Sequence, residues 1–195
     1  MLPIRIAQEP SDFDGKVRKR GLAWLRSHNI QQHSVAPRGL NIPDYWLECK
    51  SALRQAAGYI CSYYAIYIFG GEVDHFVPKS LDCDLAYEWT NYRFASSEAN
   101  KAKGSATDVM DPAKIQPETF LLNIMSGEIR PNEKLDDKDK LAAELTIARL
   151  KLNSPLLIDR RLHDFDVMKS SSEIFATYSP FVYYEAVRQK VLKVG

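Results

Sequence analysis

The sequence has no long apolar run. None approaches the roughly 20 residues that a membrane-spanning helix needs, so we expect no contact with a membrane. The N-terminal stretch MLPIRIAQEP also lacks an apolar core of signal-peptide length. Cysteine is scarce, and Cys49, Cys61 and Cys83 are odd in number and widely spaced. A disulfide framework is therefore not expected, and this cysteine usage favours the reducing cytoplasm.

The chain also lacks an excess of charge of either sign. Its formal net charge at pH 7 is +1, so any surface that binds nucleic acid must be local. The 195 residues are 45% apolar and 26% charged, which is typical of a folded globular chain rather than a disordered one. There is no internal repeat and no low-complexity tract, and the length fits one domain or one domain with an added lobe.

What the sequence does contain is a group of polar side chains between residues 72 and 104. Asp74 and His75 are adjacent, Asn91 follows in a Trp-Thr-Asn-Tyr context, and Asn100 lies in Glu-Ala-Asn-Lys-Ala-Lys-Gly. Histidine has a near-neutral pKa and can accept a proton from water. Mg²⁺ prefers oxygen ligands and keeps several waters, so one carboxylate and one amide oxygen can hold it. The group therefore predicts a site that combines a metal ion with a base.

Patterns around this group predict a hairpin, a loop and a short helix. Residues 59–69 are rich in aromatic and β-branched side chains, and Gly70–Gly71 can supply the positive φ angles of a tight turn into a return strand, 72–75. Residues 76–95 are expected to form an ordered loop. Ser96 or Ser97 can cap a helix that ends at Gly104. Because adjacent strand residues point to opposite faces, the strand must end or bulge at the Asp-His pair.

In this order, the Asp74-His75 pair, Asn91 and Asn100 with its following Lys-Gly resemble the HNH, or ββα-metal, nuclease motif. The resemblance implies that His75 is the general base and that Asp74 and Asn100 hold Mg²⁺ or Mn²⁺. It also implies that Asn91 tethers the loop, so that a backbone carbonyl can hold the other imidazole nitrogen.

Each of these residues also has an ordinary structural explanation. A histidine beside an aspartate is more often a surface hydrogen-bonded pair, and an asparagine near a helix start is more often a cap. Order and spacing together favour the site. Three nearby lysines, Lys79, Lys101 and Lys103, are candidates for phosphate contacts, and a solvated role is equally expected for each.

One feature of similar nucleases is missing. They often hold the ββα unit with zinc on two Cys-x-x-Cys knuckles, and here the corresponding positions are Cys61, Tyr64, Ser96 and Ala99. A tetrahedral zinc site cannot form from these side chains, so no structural zinc is expected. Aromatic side chains could replace it by core packing, with stacking on bases as the alternative: Tyr63, Tyr64, Tyr67, Phe69, Trp89, Tyr92 and Phe94.

The predicted fold is α+β, with a ββα-metal (HNH) centre embedded in a mostly helical body. Residues 1–43 are predicted to be an N-terminal extension, 44–110 the HNH nuclease core and 111–195 a C-terminal, mainly helical lobe. Within that lobe we expect a hairpin around Ser126–Gly127 and a helix over 138–152, in which Leu141, Leu145, Ala148 and Leu152 share a face.

The sequence therefore predicts a cytoplasmic, metal-dependent HNH-like endonuclease acting on DNA, with RNA as an alternative substrate. Members of that family act in restriction, homing, toxins and phage defence, some of them beside a partner ATPase. One alternative is an HNH scaffold that binds nucleic acid or protein without cleaving. Another is an accidental match, in which case Asp74 and Asn100 should lie far apart.

Overall fold

The computed structural model describes residues 1–31, 33–35, 37, 39–168 and 170–192. They form helices and two small antiparallel sheets, so the α+β class is confirmed. The α-helices are α1 (Lys19–Ser27), α2 (Lys50–Ala56), α3 (Ser97–Lys103), α4 (Asp137–Arg149), α5 (Pro155–Met168), α6 (Ser172–Tyr178) and α7 (Pro180–Arg188). The strands are β1 (Glu72–His75), β2 (Tyr92–Ala95), β3 (Phe120–Leu122) and β4 (Ile129–Pro131). A π-helical segment, Asp14–Arg18, leads into α1, and 3₁₀ helices cover Tyr45–Cys49, Asp84–Tyr87 and Trp89–Asn91.

The chain divides into two compact units, each built from more than one stretch of sequence. Residues 5–59 and 70–107 form the first, which we call the β1–β2 unit. Residues 1–4, 60–69 and the described part of 108–195 form the second, which we call the α4–α7 unit. The division into an extension, a core and a lobe at residues 43 and 110 stays a prediction.

Strand β1 pairs antiparallel with β2, with Glu72 opposite Ala95 and His75 opposite Tyr92. The predicted hairpin between residues 59–69 and β1 is therefore wrong. Residues 60–69 instead belong to the α4–α7 unit, where they contain one isolated bridge, between Ile60 and Tyr67. A strand, strand, helix order is nevertheless present in the chain, as β1, β2 and α3.

Gly71 is required for a reason other than turn formation. Neither Gly70 nor Gly71 has a positive φ, so the predicted turn conformation is also wrong. A Cβ atom on Gly71 would lie 2.5 Å from the Phe94 ring and 2.9 Å from the Ala95 carbonyl oxygen. The missing side chain therefore lets β1 begin directly against β2, whose aromatic ring fills the space that a larger residue would need.

The limits of α3 agree with the sequence. The Ser96 hydroxyl accepts a hydrogen bond from the Ala99 amide at 3.2 Å, which satisfies one of the free donors at the helix start. Gly104 follows the last helical residue with a φ of 52°, a conformation that favours glycine. Both the predicted cap and the predicted end are confirmed.

Aromatic rings fill the core of the β1–β2 unit. Phe13 lies 5.6 Å from Trp89 and 5.9 Å from Tyr92 between ring centroids, in edge-to-face contacts. Trp89, Tyr92 and Phe94 are all buried, so core packing is confirmed for these three rings. Phe69, in contrast, is 79% exposed and adds nothing to a core.

In the α4–α7 unit, β3 and β4 form the hairpin predicted around Gly127. Of the leucines predicted to share a face of the helix over 138–152, Leu141 and Leu145 are exposed and Leu152 is buried, while Thr146 is fully buried. The Thr146 hydroxyl donates to the Ala142 carbonyl and accepts from the Met110 amide, both at 2.8 Å. A hydroxyl with both partners in place can occupy a core position at little cost.

Among the residues that the structure describes, no helix has both the length and the apolar character needed to cross a bilayer.

Helix α1 packs on Tyr87 at a position where only glycine fits. A Cβ atom on Gly21 would lie 2.2 Å from the Tyr87 ring, and that ring is fully buried with its hydroxyl bonded to the Pro43 carbonyl. We expect Gly21→Ala to lower the free energy of unfolding by about 1–3 kcal/mol through overpacking. Urea unfolding of the variant measures this loss.

Gly15→Ala is the matched control, because a Cβ atom at Gly15 meets nothing within 4 Å. The same substitution there should leave stability unchanged or raise it by up to about 1 kcal/mol, as expected for alanine in a helix. Equal stabilities for the two variants would show that α1 does not lie against Tyr87 in this way.

Candidate functional site

Strand β1 ends at the Asp-His pair, as the sequence predicted. The next residue, Phe76, donates its amide to the Asn91 carbonyl at 2.9 Å, after which the chain leaves the strand. Asp74 and His75 both line a cavity of about 340 Å³, and Asn100 of α3 lines the same cavity. The remaining lining residues are Trp46, Val73, Pro78, Lys79, Ser80, Gly104 and Ser105.

The His75 ring is fixed by three neighbours. Its Nε2 lies 3.1 Å from the Ala86 carbonyl oxygen, and it makes edge-to-face contacts with Trp46 at 4.6 Å and Tyr92 at 5.3 Å between centroids. A carbonyl oxygen can only accept, so Nε2 carries the proton and Nδ1 is the acceptor nitrogen of the neutral ring. Burial lowers the pKa of His75 to about 4, so the neutral ring predominates at pH 7.

Asn91 closes the loop that supplies the Ala86 carbonyl. Its Oδ1 accepts from the Val77 amide at 2.8 Å, and its Nδ2 donates to the Val77 carbonyl at 3.0 Å and the Leu85 carbonyl at 2.9 Å. These bonds join the start of the loop to the residue beside Ala86. Asn91 is thus placed as a tether whose effect reaches His75 through the backbone, which is the geometry that the resemblance implies.

Asp74 is buried and paired with a lysine. The Lys103 ammonium lies 3.0 Å from Asp74 Oδ1 and also donates to the His75 carbonyl at 2.8 Å, and both side chains are at most 3% exposed. A direct phosphate contact does not suit this placement of Lys103, because its ammonium is enclosed and already bonded. The lysine instead joins α3 to the end of β1.

Glu72 orients the amide of Asn100. Its carboxylate accepts from Asn100 Nδ2 at 2.5 Å and from the Ser97 hydroxyl at 2.6 Å, and these bonds lower the pKa of Glu72. A carboxylate can only accept hydrogen bonds, so the NH₂ group of Asn100 must face Glu72. The amide oxygen of Asn100 is then the atom left to bind a cation as a ligand.

Glu72 is a site residue that the sequence reasoning missed. It lies two residues before Asp74 and therefore on the same face of β1. Lys103 lies one helical turn after Asn100 on α3. Glu72 pairs with Asn100, and Asp74 pairs with Lys103, so two residues on one face of the strand meet two residues on one face of the helix. This combination of a two-residue spacing on β1 and a three-residue spacing on α3 was a signal available in the sequence.

The two other lysines lie differently. Lys79 is exposed, lines the cavity and places its ammonium 4.5 Å from the centroid of the Trp46 ring. Lys101 is exposed on α3 and is not among the cavity-lining residues. Both remain available to a phosphate, whereas Trp46 itself is 7% exposed and serves as a wall of the cavity rather than as a stacking surface.

A second group of polar side chains lies elsewhere in the β1–β2 unit. The group consists of His33, Asp82 and Asp84, whose possible metal-ligand atoms all lie within 4.8 Å of one another. In the described part of the chain, no other three His, Cys, Asp or Glu side chains come together in this way. A hydrogen bond to Asp82 raises the pKa of His33. Asp82 also accepts from the Asp84 and Leu85 amides and so starts a 3₁₀ helix. These local bonds account for the group without an ion.

The knuckle positions have other structural uses. Cys61 is fully buried, Ser96 is the cap of α3 and Ala99 is fully buried. That the protein carries no structural zinc stays a prediction.

A scan against protein-family models and a search of curated proteins both find no match for this chain. The HNH resemblance therefore stays a prediction that rests on the residues and their geometry.

The loop tether can be tested by stability. Asn91→Ala removes three hydrogen bonds and leaves the Val77 amide and the Val77 and Leu85 carbonyls without these partners. We expect the free energy of unfolding to fall by about 1–3 kcal/mol, the cost of leaving enclosed polar groups unpaired. Chemical unfolding followed by fluorescence measures the difference.

Asn123→Ala is the matched control. Asn123 is exposed, and its Oδ1 also accepts from backbone amides, those of Met125 and Ser126. Water replaces these bonds, so the control should cost less than about 1 kcal/mol. An Asn91 variant as stable as the Asn123 variant would contradict the tether.

Proposed function

We propose that this chain is a metal-dependent HNH-like endonuclease that hydrolyses phosphodiester bonds in DNA. One observation carries the proposal: β1, β2 and α3 follow one another in ββα order and bring Asp74, His75 and Asn100 to a single cavity. That Asp74 and Asn100 line one cavity supports the match over an accidental one. The ββα-metal centre and the nuclease activity are parts of this proposal.

The donor set of the cavity suits a hard divalent cation. Asp74 supplies a carboxylate, and the orientation of Asn100 by Glu72 leaves an amide oxygen to serve as the second ligand. Oxygen donors of this kind are preferred by Mg²⁺ and Mn²⁺, with water completing the coordination. Once bound, the ion would stabilise negative charge on the phosphate oxygens.

His75 serves as the general base. Its neutral ring donates from Nε2 to the Ala86 carbonyl, so Nδ1 is the nitrogen that can take a proton from water. The Tyr92 hydroxyl donates to the same carbonyl at 2.7 Å, which fixes the position of that acceptor. Asn91 holds the loop and does not touch the reacting atoms.

The substrate is bound by local charge, since the net charge of the chain is only +1. Lys79 lies at the cavity and Lys101 is exposed on α3, and in this proposal both contact backbone phosphates of the substrate. RNA is the alternative substrate. A role in restriction or phage defence, with a partner ATPase in some systems, follows from the resemblance alone.

A specific observation favours a second candidate function. The Asp74 carboxylate already has a counter-charge in Lys103, so the centre is complete as a structural element without a metal ion. This supports an HNH scaffold that binds nucleic acid or protein without cleaving. Incubation of the protein with plasmid and single-stranded DNA, with and without Mg²⁺ or Mn²⁺, separates the two functions.

Removal of the base is the direct test of catalysis. His75→Ala should reduce metal-dependent DNA cleavage by about 10²–10⁴-fold, the usual contribution of a general base. Mn²⁺ affinity should stay close to that of the wild type, because His75 is not a metal ligand in this proposal. Plasmid nicking assays and Mn²⁺ titrations measure the two quantities.

His28→Ala is the control, since His28 is an exposed histidine directly after α1 whose ring stacks on Trp24 at 3.8 Å. Its cleavage rate should equal that of the wild type. Undiminished cleavage by His75→Ala would overturn the assignment of the base.

The role of Asn100 is tested by metal affinity. Asn100→Ala removes a metal ligand, so we expect weaker Mn²⁺ binding and a loss of cleavage that excess Mn²⁺ partly restores. Calorimetric titration with Mn²⁺ measures the affinity.

Ser97→Ala controls for the contact with Glu72. Ser97 also donates to Glu72, at 2.6 Å, but offers no ligand to the cavity in this proposal. Its Mn²⁺ affinity should therefore stay near the wild-type value. Equal weakening in both variants would mean that Asn100 acts only through Glu72.

A further inference from the structure

Lys103 presents an unusual charge in a candidate cation site. Its side chain is fully enclosed, and its ammonium lies 3.0 Å from the carboxylate of Asp74, which is itself 3% exposed. The same ammonium donates to the His75 carbonyl at 2.8 Å and lies 5.8 Å from the centroid of the Phe76 ring. The lysine is therefore directed at the end of β1 and not at solvent.

An enclosed carboxylate needs a counter-charge, and two sources are at hand. The ammonium supplies one positive charge in the metal-free protein. A divalent cation bound to Asp74 would supply two. Two positive groups bound to the same carboxylate repel each other. Binding of the cation while the ammonium stays in place therefore costs free energy.

We propose that the Lys103 ammonium and a divalent cation are alternative counter-charges for Asp74. Lys103 keeps the site formed while no metal is bound, and it weakens the binding of the cation when one arrives. This inference rests on the proposed function, because it takes Asp74 as a metal ligand. It adds that an internal lysine lowers the metal affinity of the site, so that a higher metal concentration is needed to fill it.

The expected size of the effect follows from electrostatics. Repulsion between an ammonium and a divalent ion about 5 Å apart, even in a strongly screening environment, corresponds to well over a tenfold loss of affinity. Replacing the lysine by a neutral side chain of similar length should therefore tighten cation binding, whereas the loss of an ordinary structural residue would weaken it.

The test uses Lys103→Met in the full chain, with Mn²⁺ as the probe. We expect Mn²⁺ to bind the variant at least about tenfold more tightly than the wild type, by electron paramagnetic resonance or calorimetric titration. Without metal the variant should melt at a lower temperature than the wild type, and Mn²⁺ should raise its melting temperature by the larger amount. Adding Asp74→Asn to Lys103→Met should abolish the gain.

Lys19→Met is the matched control. Lys19 also pairs with an aspartate, Asp14, at 2.8 Å, but both partners are exposed on the surface. Its Mn²⁺ affinity and melting temperature should equal those of the wild type. A similar gain in Lys19→Met would mean that overall charge, not the enclosed pair, controls binding, and it would overturn the inference.

A measurement on the wild type covers the case in which Lys103→Met does not fold. In protein labelled with ¹⁵N in the lysine side chains, saturating Mg²⁺ should shift the Lys103 ammonium signal and speed its hydrogen exchange, as its bond to Asp74 is lost. The Lys19 signal should not change. An unchanged Lys103 signal in Mg²⁺-bound protein overturns the inference.

The outcomes separate this inference from the function on which it rests. Equal Mn²⁺ affinity in wild type and Lys103→Met, or weaker binding in the variant, overturns the role of Lys103 and leaves the nuclease proposal in place. Absence of Mn²⁺ binding from both proteins overturns the metal site itself, and the inference with it.

Discussion

The contact between β1 and α3 is the interaction on which the rest of the site depends. Two acidic residues on one face of the strand, Glu72 and Asp74, meet an amide and an ammonium one turn apart on the helix, Asn100 and Lys103. Asp74 is buried, so loss of the Lys103 ammonium would remove a counter-charge where water cannot replace it. Glu72 is half-buried and joins strand to helix through both Asn100 and Ser97. These bonds tie the helix to the strand. Because the NH₂ group of Asn100 donates to Glu72, its amide oxygen is the atom left to bind a cation.

The loop between β1 and β2 positions the His75 ring. The Ala86 carbonyl accepts from both His75 Nε2 and the Tyr92 hydroxyl. Asn91 bonds the backbone of Val77 and of Leu85, the residue before Ala86. A loop of this length would otherwise sample many conformations. Three side-chain hydrogen bonds of one buried asparagine restrict it, and they also decide which imidazole nitrogen can accept a proton.

Aromatic packing provides the core of the β1–β2 unit, and the sequence predicted such packing for a chain that lacks the zinc knuckles. Phe13, Trp89 and Tyr92 meet edge to face, and Phe94 covers Gly71 at the start of β1. Burying each large apolar side chain stabilises the fold by about 1.5–3 kcal/mol. Several such rings together are of the same order as the binding free energy of a structural zinc ion, about 10–16 kcal/mol. The core thus reaches a similar magnitude by dispersed contacts.

The sequence by itself determined the local features: the α+β class, the end of β1 at His75, the Ser96 cap and Gly104 end of α3, and the polar residues that meet at the cavity. These depend on neighbours within a few positions, which the chain carries wherever it folds. Only the tertiary structure decided the partner of β1, the inward turn of Lys103 and the buried face of α4. Strand pairing and burial are set by contacts between residues far apart in the chain. A Gly-Gly pair is locally compatible with more than one strand partner, and a leucine stripe with more than one way of packing the helix.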